Sequence, residues 1–297
     1  MPRSKPPRKK ARGGAARATK PASLPLPDRR VIEGAMAALF GSATEDDALD
    51  RAQNLIYDAW EAGSAKQRVA LAKEALRISP LCADAYVLLA EHAAPGSSEQ
   101  LEYYRHGVEA GEAALGAAAF EEDVGHFWGL LETRPYMRAR FGLAQALWMQ
   151  GRRDEALAHL RDMLRLNPND NQGVRYVLAA YLLEADRDED LAALLKEYEE
   201  DGTAAWTYTK ALAAFRRTGD SEESRRRLAE AIAGNPHVPA YLLRERKMPR
   251  SLPAYITFGG EDEAIAYMND CGGGWARTPH ALDWLRRWRS AARERRS

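Results

Sequence analysis

"MRARFGLAQALWMQGRRDEALAHLRDMLRLNP" (residues 137–168) and "AWTYTKALAAFRRTGDSEESRRRLAEAIAGNP" (205–236) align without a gap. Asn167-Pro168 and Asn235-Pro236 lie 68 residues apart, and so do Gly151 and Gly219. That spacing is twice 34. Each unit reads as two Ala-, Leu- and Arg-rich helices. Gly151 or Gly219 supplies the left-handed turn residue between them. Pro, which cannot continue a helix, closes the unit. "QGVRYVLAAYLLEADRDEDLAALLKEYEEDGT" (172–203) fills the slot between. It has Tyr181 at an aromatic position and Asp190 where a small residue is usual.

A 34-residue helix–turn–helix period resembles the tetratricopeptide repeat. That resemblance implies an all-α chain, a right-handed α-solenoid of tetratricopeptide-type helical hairpins. The first helix of each hairpin would line a concave groove. Three consecutive units meet the minimum for a stable stack. Residues 52–80 and 83–111 read as two weaker units. Pro80 and Pro168 are 88 residues apart, which is no multiple of 34. About twenty residues are therefore inserted, at about 112–136. Four segments follow: a disordered basic tail (1–30), a helical repeat body (31–236), a helical C-terminal cap (237–290) and a basic tail (291–297). In the cap, Glu261 and Asp262 open a helix. Thr278-Pro279 reads as the start of a last one, with Leu282, Leu285 and Trp288 on its apolar side.

Charge is distributed unevenly along the 297 residues. Residues 1–30 hold ten Lys/Arg and one acid, residues 284–297 six Arg and one acid, and the rest a net −14. A nucleic-acid-binding domain would gather its cations on the folded face, and this body is acidic. The Pro- and Lys/Arg-rich start cannot bury enough apolar surface to order itself. It reads as a solubilising tail or as a nonspecific contact for nucleic acid or an anionic surface. Two distant cysteines, Cys82 and Cys271, exclude a disulfide framework and any CxxC motif, and fit a reducing, cytoplasmic setting. There is no run of 18 apolar residues and no secretory core, so no membrane span is expected.

The chain carries no phosphate-loop, dinucleotide, HExxH or GxSxG motif. Its six histidines never stand at i, i+4. Glu121, Asp123 and His126 could approach a metal, but nothing completes the ligand set. No cofactor and no metal is expected, and no catalytic residue is assigned. The expected function is a non-enzymatic scaffold holding a protein or peptide partner in the groove. Alternatives are a nucleic-acid-associated factor anchored by the basic tail, and an enzyme built on residues 121–136. Groove positions are Arg138, Phe141, Gln145 and Trp148 in the first unit. In the next two they are Gln172, Arg175, Ala179 and Leu182, then Trp206, Thr209, Ala213 and Arg216. Aromatic anchors and three arginines suit a peptide carrying carboxylates. The alternative is that Trp148 and Trp206 pack under a cap or insertion. The Lys/Asn clamp that some tetratricopeptide proteins set on a C-terminal carboxylate is absent, because Phe141 and Gln145 stand there.

"GHFWGLLETRPY" (125–136) reads as a joint between the two halves. Pro135 starts the next helix and pushes Arg134 out of helical geometry. Glu132 and Arg134 pair, and Phe127 and Trp128 act as wedges. "LETRPYMRARFGLA", "LRDMLRLNP", "NPHVPAYLL", "GGEDEAIAYMND" and "ALDWL" together resemble the suppressor-of-tumorigenicity family of helical-repeat proteins, over about residues 125–288. The resemblance implies a stack of helical hairpins and no established reaction. The membrane localisation of the animal members is not carried over, because their spanning segments are missing here.

Overall fold

The computed structural model describes residues 30, 32, 33 and 48–294. Of the expected disordered tail over 1–30 all but Arg30 lies outside that range, and so do residues 295–297 of the expected tail at 291–297. The described residues form an all-α structure without strands. Five pairs of helices follow one another: α1 (Ala48–Glu61) with α2 (Ala65–Ile78), α3 (Ala83–His92) with α4 (Ser98–Glu122), α5 (Arg134–Met149) with α6 (Arg153–Leu166), α7 (Val174–Glu184) with α8 (Asp188–Glu197), and α9 (Ala204–Thr218) with α10 (Glu222–Gly234). Three helices complete the chain: α11 (Val238–Leu242), α12 (Glu261–Arg277) and α13 (Ala281–Glu294).

Within each pair the two helices pack together, and each pair packs on the next. The odd-numbered helices also meet one another: α1 with α3, α3 with α5, and α7 with α9. Gly151 and Gly219 have φ of +77° and +64°, the left-handed turn that their matching positions anticipate. Local chemistry fixes the helix starts. Ser64, Ser97, Thr203 and Ser221 each cap a helix by accepting a backbone N–H with the side chain. Apolar residues three and four apart then bury one face, as with Leu157, Leu160 and Leu164 on α6.

Two apolar clusters result. The large one runs from Val87 to Leu285. The small one is Ala-rich and joins α1, α2 and the start of α3. Alanine buries little area per residue, so the small cluster contributes less hydrophobic free energy.

Several boundaries differ from the expectation. The segment expected as an insertion is helical in its first part. Helix α4 runs on to Glu122 across a non-helical Gly116 (φ 73°, ψ 167°). Helix α5 begins at Arg134 itself, with Pro135 in its first turn, because the first helical turn needs no donor from Pro. At the C-terminus, Thr278 ends α12 and does not cap the last helix, which starts at Ala281. The three glycines 272–274 are helical, and α12 passes through them.

Candidate functional site

The face built by the odd-numbered helices was expected to hold the partner. Its arginines come first. Arg138 on α5 is almost buried, its side chain 11% exposed. A buried guanidinium demands partners. Asp84 of α3, fully buried, accepts from both Nε (2.8 Å) and Nη2 (2.6 Å). Glu33 accepts from Nη1 at 2.6 Å. Gln53 of α1 donates to the same Asp84 at 2.9 Å, and the Arg138 guanidinium lies 5.3 Å from the Trp60 ring centre. Burial alone would lower the pKa of Arg138, but Asp84 and Glu33 outweigh it and raise it.

Arg134 lies one turn earlier. It donates to the other oxygen of Glu33 at 3.1 Å and to the Trp128 carbonyl at 3.0 Å, and it lies 5.4 Å from the Trp128 ring centre. The expected Arg134–Glu132 pair is corrected. Because α5 starts at Arg134, its guanidinium projects beside that of Arg138, while Glu132 is exposed.

Arg175 and Arg216 repeat the theme. Asp170 accepts the Val174 and Arg175 backbone N–H groups at 2.7 and 3.0 Å, and so caps α7. Arg175 holds Asp170 (2.9 Å) and Asp201 (2.8 Å), and Tyr176, Tyr198 and Trp206 surround its guanidinium. Burial raises the pKa of Asp170, and its hydrogen bonds do not fully offset that. At Asp201 burial is outweighed by hydrogen bonds from Thr203, Tyr176 and Arg175, and the net shift is downward. Arg216 at the end of α9 reaches the Leu183 carbonyl at the end of α7 (3.2 Å), Asp186 in the turn that follows (2.6 Å) and Asp188 at the start of α8 (2.9 Å). All three arginines expected to take a partner's carboxylate thus hold carboxylates of this chain.

The apolar positions divide. Leu182, Trp206 and Thr209 are fully buried and are not part of an open groove. Helix α12 lies across α7 and α9 and covers that face. A Cβ on Gly274 would stand 3.4 Å from Leu183 and from Leu212, so the approach is close. Thr209 lies against Tyr267 and Cys271 of α12. Trp275 donates to the Tyr267 hydroxyl at 2.7 Å and stacks on Trp284, which stacks in turn on Phe215. Glu263, at the start of α12, accepts the Ala204 N–H of α9 and the Asn235 amide, both at 2.9 Å. Gln172 falls in the turn before α7 instead of on the helix, since Asp170 caps α7 at Val174. Ala179 is buried and Ala213 half-buried.

Phe141, Gln145 and Trp148 on α5 stay half-buried. Trp148 stacks on Tyr181 at 3.9 Å and 6°. Next to them Met149 is 58% exposed.

The joint segment ties two helix ends together. Phe127 is fully buried against Phe120 and Tyr136. The Gly125 and Phe127 N–H groups donate to the Leu166 carbonyl at the end of α6. Thr133 closes the segment on the Phe127 and Leu130 carbonyls. Trp128 is half-buried, and Pro135 stands in the first turn of α5. Glu121 and His126 are exposed, and Asp123 ends α4. Both cysteines are buried, and burial pushes each thiol up to about 12, which keeps it protonated and a weak nucleophile.

The sequence reading missed Glu33, Trp60, Asp84, Asp201, Trp275 and Trp284. Asp84 carried a signal, an acid inside the apolar run "ADAYVLLA". Glu33 carried none, because its partners lie more than a hundred residues away.

Fold and site define an all-helical protein whose helix face is stitched by internal ion pairs and partly covered by its own C-terminal helix. The chain belongs to the family described as ST7 protein, whose model matches residues 35–294. It is 28% identical over 269 residues to Suppressor of tumorigenicity 7 protein-like from Gallus gallus, a match covering 81% of this chain and 47% of the relative. It is also 28% identical over 287 residues to Suppressor of tumorigenicity 7 protein from Macaca fascicularis (81% and 53%) and from Rattus norvegicus (81% and 49%). The chain spans about half the length of these curated relatives. No helix among the described residues is long and apolar enough to cross a membrane.

Proposed function

We propose that the chain is a right-handed solenoid of tetratricopeptide-type hairpins that works as a non-enzymatic scaffold in the cytoplasm. It holds a protein or peptide partner on the part of the odd-helix face that α12 leaves uncovered. The 34-residue period and the matching positive φ at Gly151 and Gly219 support the architecture. One observation carries the function. Helix α12 stops at α7 and α9, so Phe141, Gln145 and Trp148 of α5 remain half-open beside the exposed Met149. Aromatic side chains of this kind anchor partners.

A Gln145→Arg variant tests the reading. Its longer charged side chain should abolish capture of a partner retained by the wild type, with the melting temperature unchanged. An identical partner list from both proteins would sink it. The second reading, association with nucleic acid, rests on the ten Lys/Arg of residues 1–30. It requires affinity that falls steeply with salt.

A further inference from the structure

Arg134 and Arg138 stand one turn apart on α5, and each donates to a different oxygen of a single carboxylate, that of Glu33. Two guanidinium groups converging on one carboxylate make a strong, charge-assisted receptor. The receptor is fixed without Glu33. Asp84 grips Arg138 through Nε and Nη2, and the Trp128 carbonyl holds Nε of Arg134. Glu33 uses only the Nη1 donors that remain.

Two described residues beside Glu33 show how this stretch meets the body. Arg30 pairs with Glu91 at 2.8 Å and lies 5.2 Å from the Trp60 ring centre. Ile32 is 42% exposed. Trp60, between the Arg30 and Arg138 guanidinium groups, keeps a buried Nε1 with no hydrogen-bond partner. A buried indole N–H without an acceptor is costly. The occupant in place therefore fills the site incompletely, and a ligand bringing a second acceptor would fill it better.

We infer that the cradle of Arg134, Arg138 and Trp60 is a receptor for an acidic segment of a partner protein, and that Glu33 masks it in cis. This deepens the scaffold reading by assigning the partner's chemistry: a Glu or Asp side chain with a further acceptor beside it. A nucleic-acid phosphate fits less well, because the body around the cradle is acidic and repels a polyanion. A carboxylate on the same chain competes at an effective concentration on the order of mM, so it weakens binding in trans without abolishing it.

The probe is a fluorescent, C-terminally amidated peptide copying residues 26–38, "LPDRRVIEGAMAA", titrated into the full chain. An R30Q/E33Q double variant should bind it at least about tenfold more tightly than the wild type, because the competing segment is released. A peptide copy with the Glu33 equivalent changed to Gln should lose that gain, and so should R134Q added to the double variant. Asp84 keeps its partner in all these variants, so circular dichroism should show each folded. Equal affinity in wild type and double variant, or indifference to the Glu→Gln copy, overturns the inference. So does displacement of the peptide by a single-stranded oligonucleotide at matching affinity. Because Gln145 lies two turns along α5 from Arg138, adding Gln145→Arg to the double variant separates the claims. Failure of the peptide before that change disposes of the cradle alone, whereas the scaffold reading stands or falls on partner capture.

Discussion

Both ends of the described chain fold back onto the odd-numbered helices, and they do so by opposite means. Arg30 and Glu33 meet α1, α3 and α5 through guanidinium groups, carboxylates and a Trp ring. Helix α12 meets α7 and α9 through Tyr267, Cys271 and Trp275, all nearly or fully buried. The first contact is an ion cluster that is almost out of reach of salt, with Glu33 and Arg138 only 7% and 11% exposed, and its attraction is offset by the hydration each charge gives up. The second gains from removing large apolar surfaces from water. One face of one protein therefore carries a cover made of charge, exchangeable in the masking role inferred for Glu33, and a permanent one made of apolar packing.

The largest expected effect breaks the permanent cover. Trp275→Ala removes a fully buried indole stacked on Trp284 and should cost about 3–5 kcal/mol, read as a lower urea midpoint. A loss under about 1 kcal/mol would mean that α12 is not a structural part of the stack. An intermediate effect asks whether charge matters in the C-terminal half. The Asp201 carboxyl is held below its ordinary pKa in the folded chain, so its stabilisation is present above the unfolded value of about 4 and is lost as pH falls through the lower folded value. Asp201→Asn should cost about 1–3 kcal/mol at neutral pH and flatten the decline of stability below about pH 4. An unchanged acid limb would show that the Asp201 pairing contributes nothing. The smallest effect belongs to the exchangeable cover. Glu33→Gln should cost about 1 kcal/mol, because Gln keeps an acceptor and Asp84 still neutralises Arg138, and most of that loss should persist in high salt because the pair is nearly buried. A loss as large as that of Trp275→Ala would erase the contrast between the two ends.

The repeat body was legible because its signals are local. Gly151, Gly219, Asn-Pro pairs and Ala/Leu spacing speak of residues within one or two turns of themselves. What failed was anything decided by distant partners. Arg138, Arg175 and Arg216 were read as open because their spacing places them on one face. Spacing says nothing of Asp84, Asp201 or Asp186, which neutralise them from neighbouring helices. A regular hairpin would expose Trp206 and Thr209 in the groove, and the sequence leaves packing of Trp206 under a cap as the alternative. Only the return of α12, some sixty residues later, buries them. Position 134 failed for a simpler reason. A residue before Pro avoids helical geometry, yet Pro fits the first turn and the helix starts at Arg134, one residue before it.

The placement of α12 bears on how the chain is made. Gly274 meets Leu183 and Leu212, residues synthesised long before it. A ribosome that has released α7 through α10 has released an apolar trough with nothing yet to lie in it. Until the last helices emerge, that trough is open to chaperones and to other nascent chains. Premature termination before residue 261 would leave it open for good, and the product would be expected to aggregate instead of persisting as a shorter repeat protein.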